Sequence, residues 1–373
     1  MIYLDSAATS LLKPHSVYNA MRNAMNTMAS PGRGTYESAR NAADKVYECR
    51  ELVCKLFNAP APENIVFTMN ATHGLNIAIR SIVSPGDRVV ISGFEHNSVT
   101  RALKAAGADI IVAKSDLFDT AGTVEAFMRA IPGAKAVVCN HVSNVFGFIL
   151  PVSEIAEICR RYSVPLIIDA SQSAGVLPID LAQLKPAFAA MPGHKGLLGP
   201  QGTGVLICGG DAKPLIYGGT GSDSIQQDMP DYLPDMLEAG THNVVGIAGL
   251  CEGLKYVLNK TPEVIGRYES ELCRMMADEL KGVSGLEVFA GENGSQSGVL
   301  SVRHGSVDSE TLCQRLGNAG IAARCGLHCA PLAHRTAGTI DGGTLRLSFS
   351  PFLRQCQVST AARTVKRIIE QEN

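Results

Sequence analysis

Seven short apolar runs, set between residues 64 and 210, constrain the fold most. "NIVFT" (64–68), "DRVVIS" (87–92), "ADIIVA" (108–113), "AVVCN" (136–140), "PLIID" (165–169), "AFAAM" (187–191) and "GVLIC" (204–208) are rich in small and branched apolar residues and do not alternate with polar ones. A strand with one wet face alternates. A continuous run belongs to a strand covered on both faces, as in a mostly parallel sheet. Stretches of helical spacing such as "EAFMRAI" and "VSEIAEICRRY" lie between the runs, giving the strand–helix–strand order of an α/β fold. Upstream, Ala39, Ala43, Val46, Tyr47, Val53, Leu56 and Phe57 predict one apolar face of a helix over 36–57.

The pattern changes near residue 260. A long polar helix over about 262–281 leads to "LEVFA" and "GVLSVR", a helix at 308–319, then "GIAAR", "TLRLSFS" and a final helix. The expected architecture is a large doubly wound α/β domain over 12–260 and a smaller α+β domain over 261–373, with segment 1–30 packing near both. A chain of 373 residues that is 46% hydrophobic can fill two such cores. Its net charge of −2 supplies no basic surface for nucleic acid, and no apolar run is long enough to span a bilayer. "MIYLDSAATS" has no secretory pattern, and the eleven cysteines lack CxxC spacing, so they read as reduced thiols. The expectation is a cytoplasmic protein without a metal site or a membrane or nucleic-acid partner.

In open α/β sheets ligands bind beyond the carboxyl ends of the strands, so the polar residues just after each apolar run are the candidates. "MNATHGLN" follows the first run, and its Asn70, Ala71 and Thr72 open a helix. That is either an anion site or an ordinary helix cap. His96 follows the second run, and His141 and Asn144 follow the fourth. Asp169 closes the fully apolar fifth run, where a carboxylate is costly without a cation, and Gln172 comes three residues later. "MPGHKGLLGPQGTG" (191–204) then places Lys195 between two apolar strands, as a phosphate partner or a Schiff-base amine.

Together these residues meet the needs of pyridoxal phosphate. Its aldehyde needs an amine, its ring nitrogen an acid and its phosphate the donors of a helix end. The conjunction of Asp169 and Lys195, 26 residues apart on consecutive strands, is the specific signal. Other phosphate motifs fail: "GLLGPQGTG" lacks the GK[ST] ending of a P-loop, and no strand is followed by GxGxxG.

With those residues in place, the chain resembles the class V, fold type I, pyridoxal-phosphate enzymes, and within them the cysteine desulfurase and selenocysteine lyase group. "YLDSAATSLLKP", "NATHGLN", "EHNSV", "HVSNVFG", "IIDASQSAG", "GHKGLLGPQGTG", "EAGTHNVVGIAGL", "RCGLHCAPLAH" and "GTLRLSFS" carry the resemblance through nearly the whole chain. It implies that Lys195 binds the cofactor aldehyde and later moves protons at the substrate α-carbon. Asp169 would pair with the pyridine nitrogen, and Gln172 and Asn144 would contact the phenolic oxygen, Asn144 also the substrate. His96 would stack on the ring as an acid–base candidate. Ala71, Thr72 and His194 would hold the phosphate, joined by Thr220 and Thr241 from the partner subunit of a homodimer. Arg346 would grip the substrate carboxylate beside Arg324, a task suited to a guanidinium. Cys329 would be the nucleophile that takes sulfur from L-cysteine as a persulfide, leaving alanine, with a sulfur-acceptor protein as a further partner.

The chain departs from the pattern at four places. Pro192 stands where Ser or Thr is usual, and His73 and His242 replace common Glu and Pro. "SPFLRQCQ" (350–357) replaces a segment that caps a helix. The resemblance leaves three alternatives: a class V aminotransferase-like lyase on another amino acid, a selenocysteine lyase, and a sulfur-delivery protein with little turnover.

Overall fold

A computed structural model describes residues 1–32, 34–292 and 294–371. After β1 (Ile2–Tyr3), α1 (His15–Thr27) and α2 (Glu37–Phe57) the chain alternates. The order is β2 (Ile65–Thr68), α3 (Ala71–Ile82), β3 (Arg88–Ser92), α4 (Asn97–Ala105), β4 (Asp109–Ala113), α5 (Thr120–Ala130) and β5 (Ala136–Asn140). It continues through α6 (Val152–Arg161), β6 (Leu166–Asp169), α7 (Leu181–Leu184), β7 (Phe188–Pro192) and β8 (Gly204–Cys208).

These strands form a seven-stranded sheet in the order β2-β8-β7-β6-β5-β3-β4. Strands β3 to β7 run parallel to one another, whereas β8 is antiparallel to both β7 and β2. The connection from β7 to β8 is too short for a crossover helix, so the chain must turn back on itself. That tight return carries Lys195. Core residues such as Leu75, Val99 and Leu103 cover one face of the sheet, and Val53, Phe127 and Leu250 cover the other.

Two sequence expectations need correction. Strand β4 lies at the sheet edge with only Ala113 fully buried, because an edge strand has one neighbour. In α2 the buried face runs through Ala39, Ala42, Val46, Cys49, Arg50, Val53 and Phe57, while Tyr47 is exposed. The buried set steps by three or four, and Tyr47 sits a residue off that stripe.

The rest of the chain comprises α8 (Val244–Lys260), α9 (Pro262–Leu280), β9 (Leu286–Phe289), β10 (Val299–His304), α10 (Ser309–Asn318), β11 (Ile321–Ala322) and β12 (Arg324–Gly326). It ends with α11 (Pro331–Thr336), β13 (Thr344–Ser348) and α12 (Gln355–Glu370). Strands β12-β13-β10-β9 form an antiparallel sheet with its own apolar core, which includes Leu300, Val302, Leu347, Val358 and Val365. The expected loss of a cap at α12 is made good, since the Gln357 side chain accepts the Arg354 N–H at 3.0 Å. The N-terminal segment ties the two sheets together. Strand β1 pairs with β11 in a separate two-stranded sheet, the Ser348 N–H of β13 donates to the Leu4 carbonyl at 2.8 Å, and the Ser10 N–H reaches the His194 carbonyl at 3.0 Å. No helix among the described residues is long and apolar enough to cross a membrane.

Candidate active site

The carboxyl ends of β5, β6 and β7 and the first turns of α3 and α4 open onto one cavity. Ala71, Thr72 and His96 line one part of its wall. Asn144, Asp169, Gln172, His194 and Lys195 line the rest, with Pro192 beside them. Eight residues singled out from the sequence therefore meet in space.

Lys195 stays in place because its neighbours leave no room. A Cβ on Gly193 would stand 2.2 Å from Thr203 Oγ1, and one on Gly196 would stand 2.4 Å from the Ala174 carbonyl oxygen. The lysine makes no hydrogen bond among the described residues. Desolvation pulls its amine down to about 8, with Asp169 opposing and Arg346 and Arg324 adding. Schiff-base formation requires a neutral amine, and the lowered pKa brings that form within reach from about pH 8 upward.

Asp169 is 3% exposed and accepts the Ser171 N–H at 2.9 Å. The Asn70 side chain caps α3 by accepting the His73 N–H, which leaves the Ala71 and Thr72 N–H groups as free donors at a helix end. His96 caps α4 through Nδ1, which accepts the Ser98 N–H at 3.1 Å. Its pKa is lowered by burial, reinforced by Lys195, Arg346 and Arg101 against Asp169, so the ring is neutral. His194 bonds Thr9 Oγ1 through Nδ1 at 3.0 Å and is pushed down to about 4, chiefly by burial. Gln172 donates to the Ala7 carbonyl at 3.0 Å.

Asn144 joins the cavity to the next turn. Its Nδ2 donates to the His328 carbonyl at 2.8 Å, and its Oδ1 is buried without a partner. An amine, a strand-end carboxylate, free helix-end donors, a neutral flat ring and an unpaired amide oxygen fit pyridoxal phosphate.

Cys329 does not line the cavity. It is exposed on the turn between β12 and α11, where His328 and Cys329 adopt φ of 49° and 56°. Two consecutive left-handed residues other than glycine need outside restraint. The Asn97 N–H supplies it by donating to the Cys329 carbonyl at 2.7 Å, and Ala330 N–H closes the turn on Leu327 at 2.8 Å. His328, pushed down to about 2 mainly by burial, stays neutral and contacts the Thr344 carbonyl at 3.1 Å.

Arg346 lies on β13 opposite Arg324 on β12, which brings two guanidinium stems to one edge of the sheet. Arg346 is 2% exposed and already paired. Its Nη2 donates to Asp5 Oδ1 at 2.8 Å and its Nη1 to the Asn144 carbonyl at 2.9 Å, while Nε is buried and free. Thr220 and Thr241 lie outside the cavity in this chain. Thr220 bonds Ser222, and Thr241 lines a separate pocket with His73, Glu238 and His242.

Sequence reasoning assigned no role to Asp5, Thr9, Glu95 or Asn140. The first two lie in the quoted "YLDSAATS", but only the fold brings them beneath Arg346 and His194. Glu95 is buried under the sheet end, where its carboxylate accepts from Ser92 at 2.6 Å and from the Asn140 N–H at 3.0 Å.

Comparison with known proteins agrees with this geometry. The aminotransferase class-V family matches residues 2–360. A probable cysteine desulfurase of Methanothermobacter thermautotrophicus is 31% identical over 98% of this chain and 94% of its own length. The cysteine desulfurase CsdA of Escherichia coli is 29% identical over 99% of this chain and 94% of its own. Among solved structures, the apo cysteine desulfurase of Thermococcus onnurineus superposes with a TM-score of 0.90 at 28% identity, covering 99% of this chain and 95% of that one.

Proposed function

The chain belongs to the aminotransferase class-V family and is a pyridoxal-phosphate-dependent cysteine desulfurase, and from that premise we propose that Cys329 receives the sulfur of L-cysteine as a persulfide. Bound pyridoxal phosphate withdraws electrons from the α-carbon of an amino acid held through its amine. The residues of this chain supply the rest. Asp169 would keep the ring nitrogen protonated, Ala71, Thr72 and His194 would hold the phosphate, and His96 would stack on the ring. Asn144 and Gln172 address the phenolic oxygen. Lys195 takes the proton from the substrate α-carbon and returns it, and Arg346 with Arg324 fixes the substrate carboxylate.

Cys329 Sγ then attacks the substrate sulfur. The S–S bond forms as the C–S bond breaks, the electron pair goes to the substrate carbon, and a proton delivered there completes alanine. The observation that carries this reading is the restraint on the cysteine turn. Asn144, a cavity residue, holds the His328 carbonyl, and Asn97, next to His96, holds that of Cys329.

The reading extends to a cytoplasmic homodimer that hands sulfur to an acceptor protein. All eleven cysteines are free, as a reducing compartment allows. The segment that carries Thr220 also exposes Tyr217 at 74% and Ile225 at 96%, a surface suited to a second copy whose cofactor phosphate Thr220 and Thr241 would reach.

The test compares alanine and sulfide released from L-cysteine with a reductant, for the wild-type protein and Cys329→Ala. Both products from the wild type and neither from the variant, with the cofactor absorbance intact in each, is the expected result. Equal activity in the two would remove Cys329 from the mechanism.

A further inference from the structure

Lys195 and Gln172 separate the cofactor cavity from a second, smaller one. They are the only residues that line both among those described. The rear cavity holds about 40 Å³, room for roughly two waters. Ser6, Ser10, Ser297, Ser348 and Ser350 contribute to its wall. Two of its polar groups lack partners. Ser6 Oγ is buried without a hydrogen bond, and Glu269, on α9 and 7% exposed, forms no hydrogen bond or ion pair among the described residues.

A buried carboxylate with no cation is costly and must have either a proton or a polar solvent to face. Among the described residues Lys195 is the only other titratable side chain in this wall. Lys13 stands behind Ser10, with its ammonium bonded to that hydroxyl at 2.9 Å, and no charged side chain from α8, α12, β9 or β10 lines the cavity.

We propose that the rear cavity is a proton store for Lys195, with Glu269 as its terminal carrier and water and serine hydroxyls between them. In the forward direction an N–H bond of the Lys195 ammonium breaks and its proton passes to a cavity water. That water gives up a proton of its own, and an O–H bond forms on Glu269. The products are a neutral amine and a neutral carboxyl group, and the reverse transfer restores both charges. Glu269 acts through Lys195 and touches no substrate, so it is a positioning residue. Burial pushes the Glu269 carboxyl up to about 8 and pulls the Lys195 amine down to about 8, so burial disfavours the charged form of both groups.

The inference rests on the desulfurase reading for the part Lys195 plays, and the experiment has two arms. In the first, L-cysteine deuterated at the α-carbon is turned over and label is measured at the α-carbon of alanine. The wild type should lose most of the label to solvent through the cavity, and Glu269→Gln should retain several-fold more, with Glu269→Asp restoring the loss. Equal retention in wild type and Glu269→Gln overturns the proposal. The second arm needs no turnover. In the cofactor-free protein Glu95 and Glu269 are both buried carboxyl groups raised to about 8, so the wild-type-minus-Glu269→Gln infrared difference should contain a carboxylic-acid band that titrates around pH 8, with circular dichroism confirming that the variant is folded. Absence of that difference band overturns the proposal, whereas failure to make alanine with any protein would count against the desulfurase reading instead.

Discussion

Asp5 Oδ1 and Arg346 Nη2 stand 2.8 Å apart although 341 positions separate them in the chain. The guanidinium proposed to receive the substrate carboxylate is thus held by a carboxylate of its own chain. Its Nε is buried without a partner, beside Arg324 on the neighbouring strand. Removing Asp5 leaves a buried charge unpaired, and such losses cost about 3–5 kcal/mol when both partners are fully buried. Asp5 is partly solvated, its side chain 20% exposed, so Asp5→Ala should cost less than that. It should also raise KM for L-cysteine more than it lowers kcat, because the guanidinium loses its orientation rather than its charge. Thermal denaturation with steady-state kinetics reads both effects, and an unchanged KM would show that the pair is structural only.

Pro192 closes β7 at the cavity wall, opposite Gly204 on β8. Having no N–H and no hydroxyl, it offers the phosphate nothing. Pro192→Thr should restore one or two donors. At about 1 kcal/mol for each hydrogen bond gained, cofactor affinity should tighten by roughly fivefold or more. Fluorescence titration of the cofactor-free protein measures it, and weaker binding would mean that the rigid proline positions the Lys195 return.

Desolvation sets the pH at which Lys195 reacts. Below about 8 its amine is protonated and unreactive, and above that value it is neutral. The rate of cofactor capture by the cofactor-free protein should rise about tenfold per pH unit on the acid side and level off above pH 8. A plateau delayed to pH 10 would show that the amine is solvated.

Most of this site was legible because parallel strands deliver their last residues to one edge. The end of each apolar run, at Asp169 or Lys195, could be read as a place before any coordinates. What stayed hidden came from partners far apart in sequence. Asp5 lies in a quoted segment but meets Arg346 only after β1 pairs with β11 and Asp5 bridges to Ser348 on β13. Glu269 sits in an ordinary polar helix, and nothing in its neighbours' spacing marks it as buried. The antiparallel course of β8 was also not read, although the short return before it requires one.

A buried cluster of charges lies beneath His242. Arg50 Nη2 and Nη1 meet Glu238 Oε2 at 2.5 Å and Oε1 at 2.9 Å, and His242 Nε2 meets Oε2 at 2.5 Å. Burial opposes ionisation of Glu238, but His242 and Arg50 hold its pKa below the ordinary value. Arg50→Met should therefore destabilise by about 3–5 kcal/mol through the carboxylate left behind. Arg50→Met combined with Glu238→Leu should recover much of that loss. Urea denaturation of the single and double variants tests this, and simple additivity would show that the charges do not interact.

Glu269 and Lys195 should leave opposite marks on stability. The folded pKa of Glu269 is raised from 4.5 to about 8 by burial. Between those values the unfolded chain is ionised there while the folded chain holds a proton, so stability falls as pH rises through that window. Lys195 is lowered from 10.5 to about 8, chiefly by burial. Between 8 and 10.5 the unfolded chain binds the extra proton, so stability rises with pH. The two contributions meet in a minimum near pH 8, each on the order of a few kcal/mol across its window. Urea denaturation of the cofactor-free protein at a series of pH values should show it. Because the two groups exchange a proton through the rear cavity, Glu269→Gln should flatten the acid side and also alter the alkaline side, and Lys195→Met the reverse. Variants that each change one side alone would show that the two groups titrate independently, and unchanged slopes in both would show that the groups are solvated.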